Sequence, residues 1–136
     1  LGTIDGKYKD YTAANAATFA GKPLKQAPKQ QWGLGTSYRL RVGKDAIIFN
    51  ASAKHVGDHY QNLAASELIK TSAYTLVDAR VGYEANGGKW ALALWGKNLS
   101  DKQYYTGGFD IAGIGIASAY INVPRTYGVD FRYRFY

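Results

Sequence analysis

The sequence predicts an all-β fold, an antiparallel up-and-down β-barrel that crosses a membrane with its strands. Three observations predict it. Apolar and polar residues alternate with a period of two in six segments, the connections between them alternate between tight turns and long loops, and aromatic residues gather near segment ends. A period of two places successive side chains on opposite faces of a strand. No segment carries a convincing helical period.

The segments follow one another along the chain. Thr3–Tyr8 reads as the end of a strand, with Ile4 and Tyr8 on one side. In Gln31–Val42, Trp32, Leu34, Thr36, Tyr38, Leu40 and Val42 oppose Gln31, Gly33, Gly35, Ser37, Arg39 and Arg41. Ile47–His55 sets Ile47, Phe49, Ala51 and Ala53 against Ile48, Asn50, Ser52 and Lys54. Thr75–Glu84 sets Thr75, Val77, Ala79, Val81 and Tyr83 against Leu76, Asp78, Arg80, Gly82 and Glu84. Trp90, Leu92 and Leu94 alternate with Ala91, Ala93 and Trp95. In Thr126–Tyr136, Tyr127, Val129, Phe131, Tyr133 and Phe135 oppose Gly128, Asp130, Arg132 and Arg134.

Gly43-Lys44-Asp45 and Asn86-Gly87-Gly88 make tight turns, whereas Lys9–Lys29, Gly57–Ser72 and Lys102–Val123 are long connections. Loops beyond about 12–15 residues are uncommon in compact soluble domains. Short turns at one end and long loops at the other are the habit of bacterial outer-membrane barrels. Tyr127 and Phe135 bracket the last strand; their separation is roughly 26 Å of strand, and at a tilt of about 40° it covers about 20 Å of an apolar band of about 25 Å.

Composition narrows the function classes. The 12 Tyr outnumber the 3 Trp and 5 Phe together, and the absence of Cys and Met excludes disulfides and thiolate metal sites. The net charge of +7 is spread along the chain. In Tyr38-Arg39-Leu40-Arg41 and Arg132-Tyr133-Arg134 the alternation puts rings and cations on opposite faces, which argues against nucleic-acid binding. No run approaches the roughly 20 apolar residues of a membrane helix, but strands need only alternate residues to face lipid.

Six strands cannot close a membrane barrel, the smallest of which have about eight. An open edge in hydrocarbon leaves backbone polar groups unpaired at several kcal/mol each. The chain is therefore expected to be part of a longer one.

Two stretches resemble a known family. Trp90–Tyr104, with Asn98-Leu99-Ser100-Asp101, resembles the penultimate strand of TonB-dependent receptors, where Phe is common at the place of Ser100. Pro124-Arg125-Thr126-Tyr127-Gly128-Val129-Asp130-Phe131-Arg132-Tyr133-Arg134-Phe135 resembles the family's last strand. Ala27-Pro28-Lys29 and Tyr74-Thr-Leu-Val-Asp78-Ala are similar to two upstream strand starts, and the four motifs stand in family order.

The resemblance implies a barrel of about 22 strands, closed by a plug domain. It makes residues 1–136 the last six strands, without plug or earlier strands. The implied function is active import of a scarce nutrient across the Gram-negative outer membrane, with a ferric siderophore as the expected cargo. The implied partners are outer-membrane lipid, the TonB complex acting through a plug outside this chain, the β-barrel assembly machinery, and a small-molecule or metal-chelate substrate. Thr126, Gly128, Phe131, Tyr133 and Phe135 fit the family's assembly signal; Tyr136 follows the usual terminal Phe.

The remaining candidates are weighed against structural roles. Tyr104, Tyr105, Phe109 and Tyr120 lie in or beside the last, Gly-rich loop and are the candidate ligand contacts, since exposed rings stack on flat ligands or sugars; the alternative for Tyr104 and Tyr105 is a membrane girdle. His55 and His59, four apart at a strand end, are expected to be surface residues rather than metal ligands. Asp78, Glu84 and Asp130 share a face with Arg80, Arg132 and Arg134 and are expected to form ion pairs. No catalytic residue, metal or cofactor is expected, and the chain is not expected to be an enzyme. Two competing readings are a soluble β-sandwich that binds carbohydrate and a porin without a plug.

Overall fold

The alternation becomes a six-stranded sheet in the computed structural model, which describes residues 1–12 and 18–135. The strands in chain order are β1 (Gly2–Thr3), β2 (Gln30–Val42), β3 (Asp45–Val56), β4 (His59–Tyr60), β5 (Lys70–Thr71), β6 (Tyr74–Ala85), β7 (Trp90–Lys97), β8 (Tyr105–Ile111), β9 (Ile116–Ile121) and β10 (Thr126–Tyr133). The large sheet has the order β1-β2-β3-β6-β7-β10, so each long strand lies beside its predecessor among the long strands. Strands β7 and β10 run antiparallel, with Val129↔Leu94 and Phe131↔Leu92 opposite each other, and so do β6 and β7, with Val81↔Leu94. The longest helical elements among the described residues are three-residue 3-10 turns.

The chain gathers into two units: Leu1–Trp32, His55–Tyr74 and Gln103–Val123 form the first, and Gly33–Lys54, Thr75–Lys102 and Pro124–Tyr136 the second.

In the second unit the faces follow the alternation. One carries Leu34, Tyr38, Leu40, Phe49, Val81, Leu92, Leu94, Val129, Phe131 and Tyr133, with Leu34 71% exposed and Phe131 67% exposed. Apart from Asp45 at the turn end of β3, which the Tyr83 hydroxyl engages, no Asp, Glu, Lys or Arg shares their alternation on the five strands. The other face holds the ion pairs. The buried apolar residues among those described are few and mostly small: Ala46, Val56, Ile69, Ala85 and Ala93. A sandwich would bury its large side chains between two sheets; here they stand open.

Both tight turns form where expected. Gly43 (φ 62°) closes β2 to β3, and the 3-10 turn Asn86–Gly88, with Gly87 at φ 66°, closes β6 to β7. These left-handed values favour Gly and Asn over branched residues.

The Asn98–Asp101 motif forms a clasp. Asn98 is buried and left-handed (φ 50°), its side chain accepting from Lys102 N–H (3.0 Å) and donating to the Lys102 carbonyl (3.0 Å). Its own N–H donates to Asp78 (2.8 Å), Leu99 N–H to the Val77 carbonyl (2.7 Å) and Ser100 Oγ to the Thr75 carbonyl (2.7 Å). Asp101 accepts from Arg125 N–H at 3.3 Å and pairs with its guanidinium at 3.5 Å. The motif thus satisfies the backbone where β7 ends and ties β6 and the start of β10 to it.

Two consecutive cross-strand pairs of β7 and β10 match an aromatic residue with a glycine, Trp95 with Gly128 and Gly96 with Tyr127. They lie on opposite faces. The Trp95 indole covers Gly128 so closely that a Cβ there would overlap the ring, while its N–H donates to Asp130 at 3.1 Å. A Cβ at Gly96 would meet Leu99 Cδ2 at 2.6 Å and Tyr127 Cδ1 at 3.1 Å. The rings shield backbone that glycine leaves bare.

The structure corrects the element ends and the loops. The expected strand Thr3–Tyr8 is regular only at β1, but its course continues as a ladder with Lys22–Lys29: Ile4 N–H donates to Lys29, Leu24 N–H to Gly6 and Tyr8 N–H to Lys22. β10 ends at Tyr133, so Arg134 and Phe135 lie beyond it, and Tyr136 falls outside the described residues. The long connections are not bare loops, since β4 pairs with β5 and β8 with β9. Phe109, Ile111, Ile116 and Tyr120 favour strands, and that preference outweighs the glycines around them.

Gly128→Ala is expected to push the indole off Asp130 and destabilise the folded protein by about 1–3 kcal/mol. Thermal unfolding in detergent measures it, and with Trp95→Ala already present the added cost should shrink by at least about 0.5 kcal/mol. An undiminished cost in that background would place the effect elsewhere than the ring.

Candidate functional site

The second unit presents a polar wall. Glu84 lies between two arginines, 2.5 Å from Arg39 and 3.4 Å from Arg132. Asp130 pairs with Arg80 and accepts from Trp95. Asp78 departs from the expected ion pairing; it is engaged by the Asn98 backbone. These groups line two shallow grooves, one of about 360 Å³ with Asn50, Ser52, Arg80, Trp95 and Lys97, the other of about 380 Å³ reaching Glu84 and Arg132. Half-exposed pairs of this kind contribute little to stability singly; their effect is to give one face of the sheet fixed, water-compatible charge.

The first unit is organised around Gln61, 2% exposed. Its amide nitrogen donates to Thr71 Oγ1 (2.6 Å) and to the Tyr105 carbonyl (2.8 Å), and its oxygen accepts from Gln26 (3.2 Å). Thr71 Oγ1 donates to the same carbonyl at 2.9 Å. One side chain thereby links the three long connections. Nearby, Ser66 caps the turn Glu67–Ile69 and donates to Asp110 at 2.5 Å. The Tyr60 hydroxyl donates to Glu67 (2.6 Å) and holds that carboxyl below its ordinary range.

The candidate ligand contacts separate into two pairs. Tyr104 stacks on Tyr74, with centroids 3.8 Å apart and planes at 10°, and Tyr105 offers its carbonyl to Gln61 and Thr71. Both are tied into the packing of the unit. Phe109 and Tyr120 differ. The register Gly107↔Tyr120, Phe109↔Ser118 and Ile111↔Ile116 puts Phe109, Ile111, Ile116 and Tyr120 on one face of the β8–β9 hairpin. All four are exposed, Tyr120 at 62%. Asp110, on the opposite face, meets Ser66. The aromatic face is therefore the open one.

The histidines are not brought together as ligands. His55 stacks on Trp32 (centroids 5.4 Å, planes at 13°), while His59 faces the Gly57 carbonyl (3.0 Å) and Gln61 (3.2 Å). No group of three metal-ligating side chains occurs among the described residues. Sequence reasoning missed Gln61, since one Gln in a polar loop carries no pattern that marks it as buried.

An open sheet with one apolar and one charged face defines a barrel-wall segment, and the comparisons agree. Residues 2–99 match the family described as "TonB dependent receptor-like, beta-barrel", and the chain belongs to that family. Its fold is similar to the crystal structure of the ferric yersiniabactin uptake receptor FyuA from Yersinia pestis, with a TM-score of 0.77 and 22% identity. The match covers 87% of this chain and 18% of that one, so the chain spans under a fifth of the length of the structure it resembles.

Gln61→Leu is expected to leave the Tyr105 carbonyl and Thr71 short of a donor, at about 1–3 kcal/mol. Limited proteolysis of the folded receptor should then cut faster within residues 57–72 and 103–123, with the strands of the second unit as resistant as before.

Proposed function

We propose that this chain forms wall and outer loops of a TonB-dependent importer in the outer membrane of a Gram-negative bacterium. The observation that carries the reading is the division of the sheet of the second unit into an exposed face free of charge apart from Asp45 at the turn end, and a face that holds its ion pairs. The first suits hydrocarbon, in which every strand must be paired with a neighbour and side chains must be apolar. The second suits a water-filled interior. The long connections then face outward from the cell and the tight turns face the periplasm.

The cargo we propose is a small molecule or metal chelate, with a ferric siderophore as the leading case, in line with the uptake receptor it resembles. Energy reaches the site through TonB acting on a plug domain. The contact surface is the open face of the β8–β9 hairpin, with Phe109 and Tyr120 as stacking platforms; Tyr104 and Tyr105 serve instead to hold the hairpin in place. We also propose that Thr126, Gly128, Phe131, Tyr133 and Phe135 serve as an assembly signal. The first four lie within β10, whose sheet partner among the described residues is β7 alone.

Two variants of the full-length receptor separate these roles. Phe109→Ala with Tyr120→Ala should weaken ligand binding at least tenfold and leave receptor abundance unchanged. Phe131→Ala with Tyr133→Ala removes apolar contact at roughly 3–5 kcal/mol for a fully buried ring, less where lipid refills the space. It should lower abundance in the outer membrane and keep uptake per receptor near normal. Quantitative membrane blots beside uptake assays read both. Normal abundance with abolished uptake in the second variant would place β10 in contact with substrate or plug and overturn the assignment of its faces.

A further inference from the structure

Cations collect at the tight-turn end of the charged face. Arg39, Arg41, Lys44 and Glu84 line a depression of about 260 Å³ together with Gly87 and Gly88. Glu84 is held from both sides, by Arg39 at 2.5 Å and by Arg132 at 3.4 Å. The Arg134 guanidinium borders the same depression, 3.7 Å from where a Cβ on Gly88 would stand. Arg134 N–H donates to the Lys89 carbonyl (2.9 Å), which extends the pairing of β7 and β10 past Tyr133. Arg134 therefore keeps the alternation of Asp130 and Arg132 and lies on their face.

The charges at this end do not balance. Arg41, Lys44 and Arg134 are exposed, and among the described residues none of them has a carboxylate within ion-pair distance. Glu84 is already shared by two guanidinium groups. The other carboxylate of the turns, Asp45, alternates with Phe49 on the apolar face, where the Tyr83 hydroxyl (2.5 Å) and the Asn86 N–H (3.0 Å) engage it. Five cations thus stand around one carboxylate. Like charges gathered at a concave site focus their field and draw in a counter-ion. Guanidinium groups add forked donors that match the paired oxygens of a carboxylate or phosphate.

We propose that this end of the charged face is a binding site for a small solute with two or more carboxylate or phosphate groups. Arg41, Lys44 and Arg134 supply the free donors, and Arg39 and Arg132, fixed by Glu84, frame them. The depression lies just under the roughly 300 Å³ at which small-molecule pockets begin, which suits a small solute better than a folded partner. The wall reading asks only that this face be wet. The site adds discrimination by charge, since it holds anions and repels cations. A single anionic group engages only part of the set, so affinity climbs with the number of groups.

The test is calorimetric titration of the full-length protein in detergent with citrate, pyrophosphate and acetate. Citrate or pyrophosphate is expected to bind at least about tenfold more tightly than acetate, and to weaken as sodium chloride screens the site. The tighter of the two names the group that the site prefers. Combining Arg41→Gln, Lys44→Gln and Arg134→Gln should weaken that binding at least about tenfold. Lys54→Gln with Lys97→Gln removes two cations from the same face away from the tight turns and should leave it within about twofold. Thermal unfolding checks that each variant is folded; if the triple variant is not, Lys44→Gln alone should still weaken binding about threefold. Polyanions bound no more tightly than acetate, or equally by parent and triple variant, would overturn the site. So would absence of binding together with a triple variant that unfolds at lower temperature, because the protein's own carboxylates would then fill the depression. Each of these results leaves the wall reading standing. A full-length protein that stays in solution without detergent would sink that reading instead, and the titration would still decide the site.

Discussion

The second unit depends on strand-to-strand backbone pairing, with no enclosed core of large side chains among its described residues. In a soluble domain, burial of large side chains repays the entropy of ordering the chain. Here the large side chains of the second unit, from Leu34 to Phe131, stand on an open face, and the described buried apolar set is mostly alanine. What holds β6, β7 and β10 together is the hydrogen-bonded ladder, with registers unbroken from Thr126↔Lys97 to Tyr133↔Trp90. Such a sheet is a sound structure only where the apolar face is covered, and a bilayer covers it without any loss of pairing.

The special features of the sheet serve that ladder. The two glycine–aromatic pairs place Trp95 over Gly128 and Tyr127 over Gly96 on opposite faces, so glycine's bare backbone is shielded on the wet side and the apolar side alike. The clasp of Asn98 to Asp101 answers a different need. Where β7 stops and the chain leaves for the β8–β9 hairpin, N–H and carbonyl groups lose their ladder partners, and Asp78, Val77, Thr75 and the Asn98 side chain replace them. The family motif is thus explained by backbone chemistry at the end of a strand.

Much of the fold is legible in the sequence because alternation is a local signal. Arg39 against Leu40, or Asp130 against Phe131, states the face of each residue without reference to any partner. Turn chemistry is equally local, and Gly43 and Asn86-Gly87-Gly88 declare their turns through the left-handed backbone they adopt. The first unit is different. Gln61, Thr71 and Tyr105 are brought together from distant positions, and nothing near any of them in the chain announces it. The hairpin β8–β9 was hidden in the same way: its glycines read as loop, and only the pairing of Phe109 with Ser118 and Ile111 with Ile116 shows one aromatic face. For the same reason nothing in the sequence separates Tyr104, stacked on Tyr74, and Tyr105, bonded through its carbonyl to Gln61, from Phe109 and Tyr120 on the open face.

The central claim is that alternate residues of these strands face hydrocarbon and water. Residues 1–136 contain no cysteine, and single spin labels are placed along β10 at Val129, Asp130, Phe131 and Arg132 in a membrane-reconstituted receptor with any cysteine outside this stretch replaced. The account predicts that labels at 129 and 131 collide mainly with oxygen, which concentrates in lipid, and labels at 130 and 132 mainly with a water-soluble nickel complex. Loss of that alternation, or its inversion, would contradict the account.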